Sequence, residues 1–272
     1  MARVVPGIGA ERPEDIEPVS PPPTVPQAKK PTGTKPTISL EDYILLKDIS
    51  CVDADGTVFE QYDHIYVRKD IERDADKIPK KFSLYAGAVY FEQQGLFLPS
   101  FALSCNVITA LYQQRANSDI EKVLQQYKDN NSYDWQVQNT LINYATKEVV
   151  HYPTKDDFAQ ATTVNSAHPR RALPFSKTTF QNSLLENAIR DPASAHYVRQ
   201  LTGLADPSVL VEIGQYFQRL TQLTFPLAAQ IDATFTERRA AWLGCYPGYF
   251  ELRSIEELSG NYTARGIRLE AP

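Results

Sequence analysis

Ile49-Ser50-Cys51-Val52-Asp53-Ala54-Asp55-Gly56-Thr57-Val58-Phe59 decides between two folds. An apolar run ends at Val52, the D-x-D-G-T sequence follows, and extended-chain residues resume at Val58. Between two β-leaning runs, x-D-x-D-G-x is a tight turn in which Gly56 takes a positive φ and the Asp side chains bond turn amides. That reading joins Ile49–Val52 to Thr57–Arg68, rich in β-branched and aromatic residues (Val58, Tyr62, Ile65, Tyr66, Val67), as an antiparallel hairpin. A parallel sheet would instead require strand and helix to alternate after Thr57. No such βαβ rhythm is evident between residues 57 and 156, so the expected class is α+β.

Upstream of the hairpin, Ser39-Leu40-Glu41-Asp42 has the S-x-x-D form of a helix start, although a strand through Leu45 to Ile49 fits equally well. Residues 1 to 37 are of another kind. They hold nine prolines (Pro6, Pro13, Pro18, Pro21, Pro22, Pro23, Pro26, Pro31 and Pro36) and almost no large apolar side chains. Such a segment cannot pack a core of its own, and its local preference is an extended polyproline II arm or disordered tail.

Downstream, Pro79 to Gln94 reads as a helix stopped by Gly95. A second starts at Leu98-Pro99-Ser100 with Leu103, Val107, Ile108 and Leu111 as its buried stripe, and a third has Ser118-Asp119-Ile120-Glu121 as a capping box. Trp135 to Tyr144 and Glu148 to Tyr152 read as strands. Thr178 to Arg190 reads as helix, and Asp191-Pro192 and Asp206-Pro207 each place a capping carboxylate before proline at a helix start. The second of these carries an apolar face from Val209 to Leu223. Ala240 to Tyr246, Tyr249 to Ile255 and Thr263 to Leu269, separated by Pro247-Gly248 and Gly260-Asn261, read as a small antiparallel β unit. The expected organisation is an arm (1–37), an α+β domain with a mixed N-terminal hairpin and helices (38–175), and a central helical block ending in the small β unit (176–272).

With 272 residues, 42% of them hydrophobic, the chain can bury a sizeable core, and its net charge of -5 gives no overall positive field for nucleic acid or anionic lipid. Cys51, Cys105 and Cys245 fit neither a disulfide framework nor a metal spacing, which favours a reducing compartment. No stretch reads as a signal peptide or a membrane span, so the expected placement is cytoplasmic or within a particle.

Asp53-Ala54-Asp55-Gly56-Thr57 also resembles the first motif of the haloacid dehalogenase-like phosphatases, a family with a doubly wound α/β fold. The resemblance implies that Asp53 attacks phosphorus, that Asp55 protonates the leaving group, and that a Mg²⁺ ion is shared with a late acidic pair, here Asp156 and Asp157. Thr146 and Lys147 or Lys155 stand in the order the family uses. By its residues alone, Thr154-Lys155-Asp156-Asp157 is instead a helix cap with an acidic first turn. His64, His151, His168 and His196 share no metal spacing and read as structural or solvated, and no G-x-S-x-G, Walker or G-x-G-x-x-G pattern occurs.

The leading expectation therefore names no catalytic, cofactor or metal residue. It is a non-enzymatic structural or assembly protein, a subunit of a virion-like or similar particle whose Pro-rich arm contacts neighbouring protein subunits, with 15 tyrosines and 12 phenylalanines for cores and interfaces. The alternatives are the Mg²⁺-dependent phosphatase and an adaptor that binds protein through the helix from Pro207 to Leu223.

Overall fold

Ser39 accepts a hydrogen bond from the Glu41 amide and the Ser39 amide donates one to the Asp42 carboxylate, so the S-x-x-D signal is real but caps a single 3₁₀ turn, Leu40–Asp42. Strand β1 (Tyr43–Val52) follows at once and pairs antiparallel with β2 (Val58–Arg68). The computed structural model describes residues 39–128, 136–154, 157, 168–175, 183–224, 238–246, 248–255 and 262–271, all within the unit Ile38–Pro272. The Pro-rich arm, Asp156 and residues 178–182 of the expected Thr178–Arg190 helix lie outside them.

The hairpin changes face partway along. Ile44 and Leu46 are buried, then Ile49 and Cys51, so the two-residue alternation slips by one at Asp48, whose φ is 54°. Their partners on β2 slip in step: Val67 and Ile65 lie opposite Ile44 and Leu46, whereas Tyr62 and Glu60 lie opposite Ile49 and Cys51. A left-handed residue inside a strand is a local kink of the kind that re-aims side chains, and Asp tolerates it better than most.

Helices α1 (Leu84–Gln93), α2 (Phe101–Gln113) and α3 (Ser118–Lys128) lie close to their expected positions. Ser83 and Ser100 cap the first two, and Gly95 has a φ of 67°. The first helix starts later than expected because Pro79 bridges Arg73 and Phe82 bridges Tyr262 as extended chain. The cap at the third is Asn117, whose Oδ1 accepts from the Asp119 amide, rather than Ser118. Helix α2 is buried almost all round, packing on β1 and α3 and on elements from the C-terminal half. Leu103, Ile108 and Leu111 are fully buried, each worth about 2 kcal/mol of transfer free energy.

Among the described residues that follow, seven strands form one sheet in the order β5-β4-β3-β8-β9-β7-β6. Its strands are β3 (Gln136–Asn143), β4 (Glu148–His151), β5 (Arg171–Pro174), β6 (Ser183–Leu184), β7 (Leu220–Thr224), β8 (Arg238–Tyr246) and β9 (Tyr249–Ile255). Among the described strands of this sheet only the β7–β9 pair is parallel, which fits α+β and not the doubly wound sheet implied by the phosphatase resemblance. Strands from both sides of residue 175 are neighbours here, through the β3–β8 pair.

Helices α4 (Leu185–Arg190), α5 (Pro192–Thr202) and α6 (Ser208–Tyr216) complete the described chain, with Asp191 capping α5 through the Ser194 amide and Asp206 accepting from Ser208. Two expectations are corrected. The helix expected to carry an apolar face to Leu223 stops at Tyr216, because Leu220–Thr224 joins the sheet beside β9, and Leu210, Ile213, Phe217 and Leu223 are buried in the core rather than offered to a partner. The C-terminal segments are no separate β unit: β8 and β9 lie inside the large sheet, and β10 (Ile267–Arg268) pairs with β2 in the three-stranded sheet. No helix among the described residues is long and apolar enough to cross a membrane.

Candidate functional site

The face change at Asp48 turns Glu60 and Tyr62 inward, opposite Cys51 and Ile49. Three further side chains from distant segments meet them. Tyr152 follows β4 with a φ of 52°, an outlying conformation for a bulky residue, held by its amide donating to the Asn139 carbonyl. Ser100, the N-cap of α2, uses the same hydroxyl oxygen to accept from the Leu103 amide and to donate to Glu60. His168 stands just before Pro169 and β5, its ring stacked on Tyr152 with centroids 4.7 Å apart and tilted against Phe97 at 4.2 Å.

Glu60 is the hub. Its Oε1 accepts from the Tyr62 hydroxyl at 2.5 Å and from the Tyr152 hydroxyl at 2.6 Å, and its Oε2 accepts from Ser100 at 3.3 Å. The two short bonds are in the range of hydroxyls bonded to a carboxylate. Tyr62 also lies 3.1 Å from Nδ1 of His168. A phenol has one proton, so the chain has two consistent arrangements. Either His168 Nδ1–H donates to Tyr62 and Tyr62 to an ionised Glu60, or a protonated Glu60 donates to Tyr62 and Tyr62 to a bare Nδ1. Moving each proton one bond along converts imidazolium, phenol and carboxylate into imidazole, phenol and carboxylic acid, provided His168 Nε2 keeps its own proton, so the three groups are aligned as a path for one proton.

Electrostatics keep this path near neutrality. Burial raises the Glu60 carboxyl above its ordinary 4.5, against the lowering effect of its Tyr152, Tyr62 and Ser100 hydrogen bonds. Burial lowers His168 to about 4 and, with the Glu60 charge beside them, raises the Tyr62 and Tyr152 phenols. Burial, then Glu60, also raises the Cys51 thiol well above its usual range, so Cys51 is no ready nucleophile.

The cluster opens onto a cavity of about 220 Å³. Phe59, Glu60, Tyr62, Tyr152 and His168 line its inner part, and the exposed residues Gln61, Pro169 and Arg171 lie at the rim. The volume is below the ~300–1,000 Å³ of sites for drug-sized ligands, so any occupant is small. Another void, near Gln136, Gln138 and Arg265, is only about 10 Å³ and holds nothing larger than a water molecule.

Asp53 and Asp55 stand apart from this cluster. Asp53 Oδ1 accepts from the Asp55 and Thr57 amides, the Gly56 amide donates to the Asp53 carbonyl, and Gly56 has a φ of 83°: this is the hairpin turn. Asp157 is held by the Thr154 amide and hydroxyl and by a two-nitrogen grip from Arg170. Burial alone would raise that carboxyl, but Arg170 and Thr154 outweigh it and leave it below the usual range. Among the described residues no group of three or more His, Cys, Asp or Glu could hold a metal ion. The structure thus gives no support to a Mg²⁺ site made from Asp53, Asp55 and Asp157.

Of the histidines, His151 is structural as expected. The Phe101 amide donates to Thr140 Oγ1, leaving the Thr140 proton for His151 Nδ1 and the His151 Nε2 proton for the Gln200 carbonyl. His168, read as structural or solvated, lines the cavity. The sequence reading missed Glu60, Tyr62 and Tyr152 as well. Period-two spacing puts Glu60 and Tyr62 on the face opposite Ile65 and Val67, and only the kink at Asp48 brings them in. Comparison with known proteins finds no matching family model, no matching curated protein and no matching solved structure.

Proposed function

We propose that this protein binds a small molecule in the Glu60 cavity and can exchange a proton with it. The observation that carries the proposal is the convergence of Glu60, Tyr62, Tyr152 and His168, from three separate segments, on one cavity wall. A half-buried carboxyl with a raised pKa in a concave, largely aromatic site is the usual form of a general acid or base. Glu60 is the proton-exchanging group, Tyr62 and His168 relay the proton, and Tyr152 and Ser100 position the carboxyl.

The test is a ligand-observed NMR screen of a fragment set against the full chain and against Gln61→Trp, which fills the rim with an indole. The proposal expects hits that Gln61→Trp displaces. Hits that bind the variant equally well would reject the cavity as the site.

The assembly role is an independent proposal, supported by the nine prolines of residues 1–37. Deleting residues 1–37 and measuring sedimentation tests it: a smaller particle is expected, and an unchanged one rejects the arm's role.

A further inference from the structure

Two arginines stand side by side ahead of β5, and they are in different situations. Arg170 is spent on Asp157 through Nε and Nη2. Arg171, at the cavity rim, makes no side-chain hydrogen bond or ion pair among the described residues, and its side chain is exposed. A guanidinium presents five donors in a planar fork matched to a carboxylate.

At the other end of the cavity the negative group is already engaged. The two Glu60 oxygens already accept three hydroxyl protons, from Tyr62, Tyr152 and Ser100, so its charge is partly offset before any ligand arrives. Phe59 and Tyr152 line the cavity further in, and Pro169 lies with Arg171 at the rim. Polarity therefore runs from a rim cation with no partner among the described residues, past Phe59 and Tyr152, to a hydroxyl-bonded carboxyl inside.

We propose that the cavity takes a small organic anion with a ring or short apolar body, its carboxylate held by Arg171 and its far end directed toward Glu60 and Tyr62. This rests on the cavity being a ligand site at all. With a net charge of -5 on the chain, the local cation rather than the overall field selects the ligand.

Three probes of one shape and different charge decide the matter: benzoate, benzamide and benzylamine, titrated calorimetrically into the full chain near pH 7. Benzoate is expected to bind about five-fold tighter than benzamide, as one exposed ion pair would give, and Arg171→Gln is expected to bring benzoate down to the benzamide level. Tightest binding by benzylamine, or benzoate binding indifferent to Arg171→Gln, overturns the anion assignment; if that binding is still lost in Gln61→Trp, the cavity reading survives. No binding by any of the three at millimolar concentration overturns both.

Discussion

Asp53 and Glu60 belong to one hairpin, and their surroundings are opposite. The Asp53 carboxylate is consumed by the amides of its own turn, from Asp55 and Thr57. Glu60 takes its hydrogen bonds from hydroxyls on Tyr62, Tyr152 and Ser100, two of them at least 40 residues away in the chain. The first carboxylate carries a recognisable motif and does a local structural job. The second has no motif and draws its partners from separate segments of the chain. Spacing along the chain identifies chemistry only where the partners are local.

The contrast can be broken at several points. The largest effect is expected where the hairpin is braced from behind. The Val52 amide, just before the turn, donates to the Gly203 carbonyl, and Gly203 has a φ of 62° with room for a Cβ only 2.6 Å from that of Ala102. Gly203→Ala is expected to cost about 4 kcal/mol by urea unfolding, combining left-handed strain with overpacking; a cost below 1 kcal/mol would mean that the brace is loose.

Next come the two carboxylates themselves. Glu60→Ala strands two tyrosine hydroxyls and is expected to cost about 2 kcal/mol, against about 1 kcal/mol for Asp53→Ala, whose turn amides can turn to water. Equal costs would erase the distinction. Tyr62→Phe and Tyr152→Phe remove donors to the same oxygen, so their effects are expected to be coupled by about 1 kcal/mol in a double-mutant cycle; strict additivity would show that they do not share Glu60.

Acidity offers a comparable lever from behind the cavity wall. His151, stacked on Phe59 with rings 8° from parallel, is lowered by burial from 6.5 to about 4. A lowered folded-state pKa gives stability that is complete above 6.5 and lost as pH falls toward 4. Unfolding free energy should therefore drop by about 2 kcal/mol between pH 7.5 and 5 through this group alone. His168 acts in the same sense, and the raised Glu60 in the opposite one, since its contribution is complete in acid and lost as pH rises through its folded-state pKa. Denaturation curves at the two pH values measure the sum, and His151→Gln should flatten the difference.

Much of the fold was legible because its signals are local. Asp191-Pro192, Ser100 and Gly95 cap or stop helices through atoms a few residues away, and the α+β class follows from the turn at Asp53–Thr57. Leu220–Thr224 was not legible: its leucines fit a helical face as well as a strand, and the choice was made by pairing with Tyr249–Arg253 much later in the chain. The site was hidden for a related reason. Its inward face depends on a slip at Asp48, and its other members arrive through strand pairing that no periodicity reports. Tyr152 and His168 shared one visible feature, a following proline, which marks restricted backbone without saying what it serves.

The direct test of the central claim is the titration of the Glu60 carboxyl, followed by its carbon NMR resonance and assigned with Glu60→Gln. A half-buried carboxyl held among Tyr62, Tyr152 and Ser100 should titrate clearly above its ordinary 4.5, and Tyr152→Phe should move the midpoint further up by removing a lowering hydrogen bond. A midpoint at or below 4.5 would place Glu60 in a solvated setting and contradict the site.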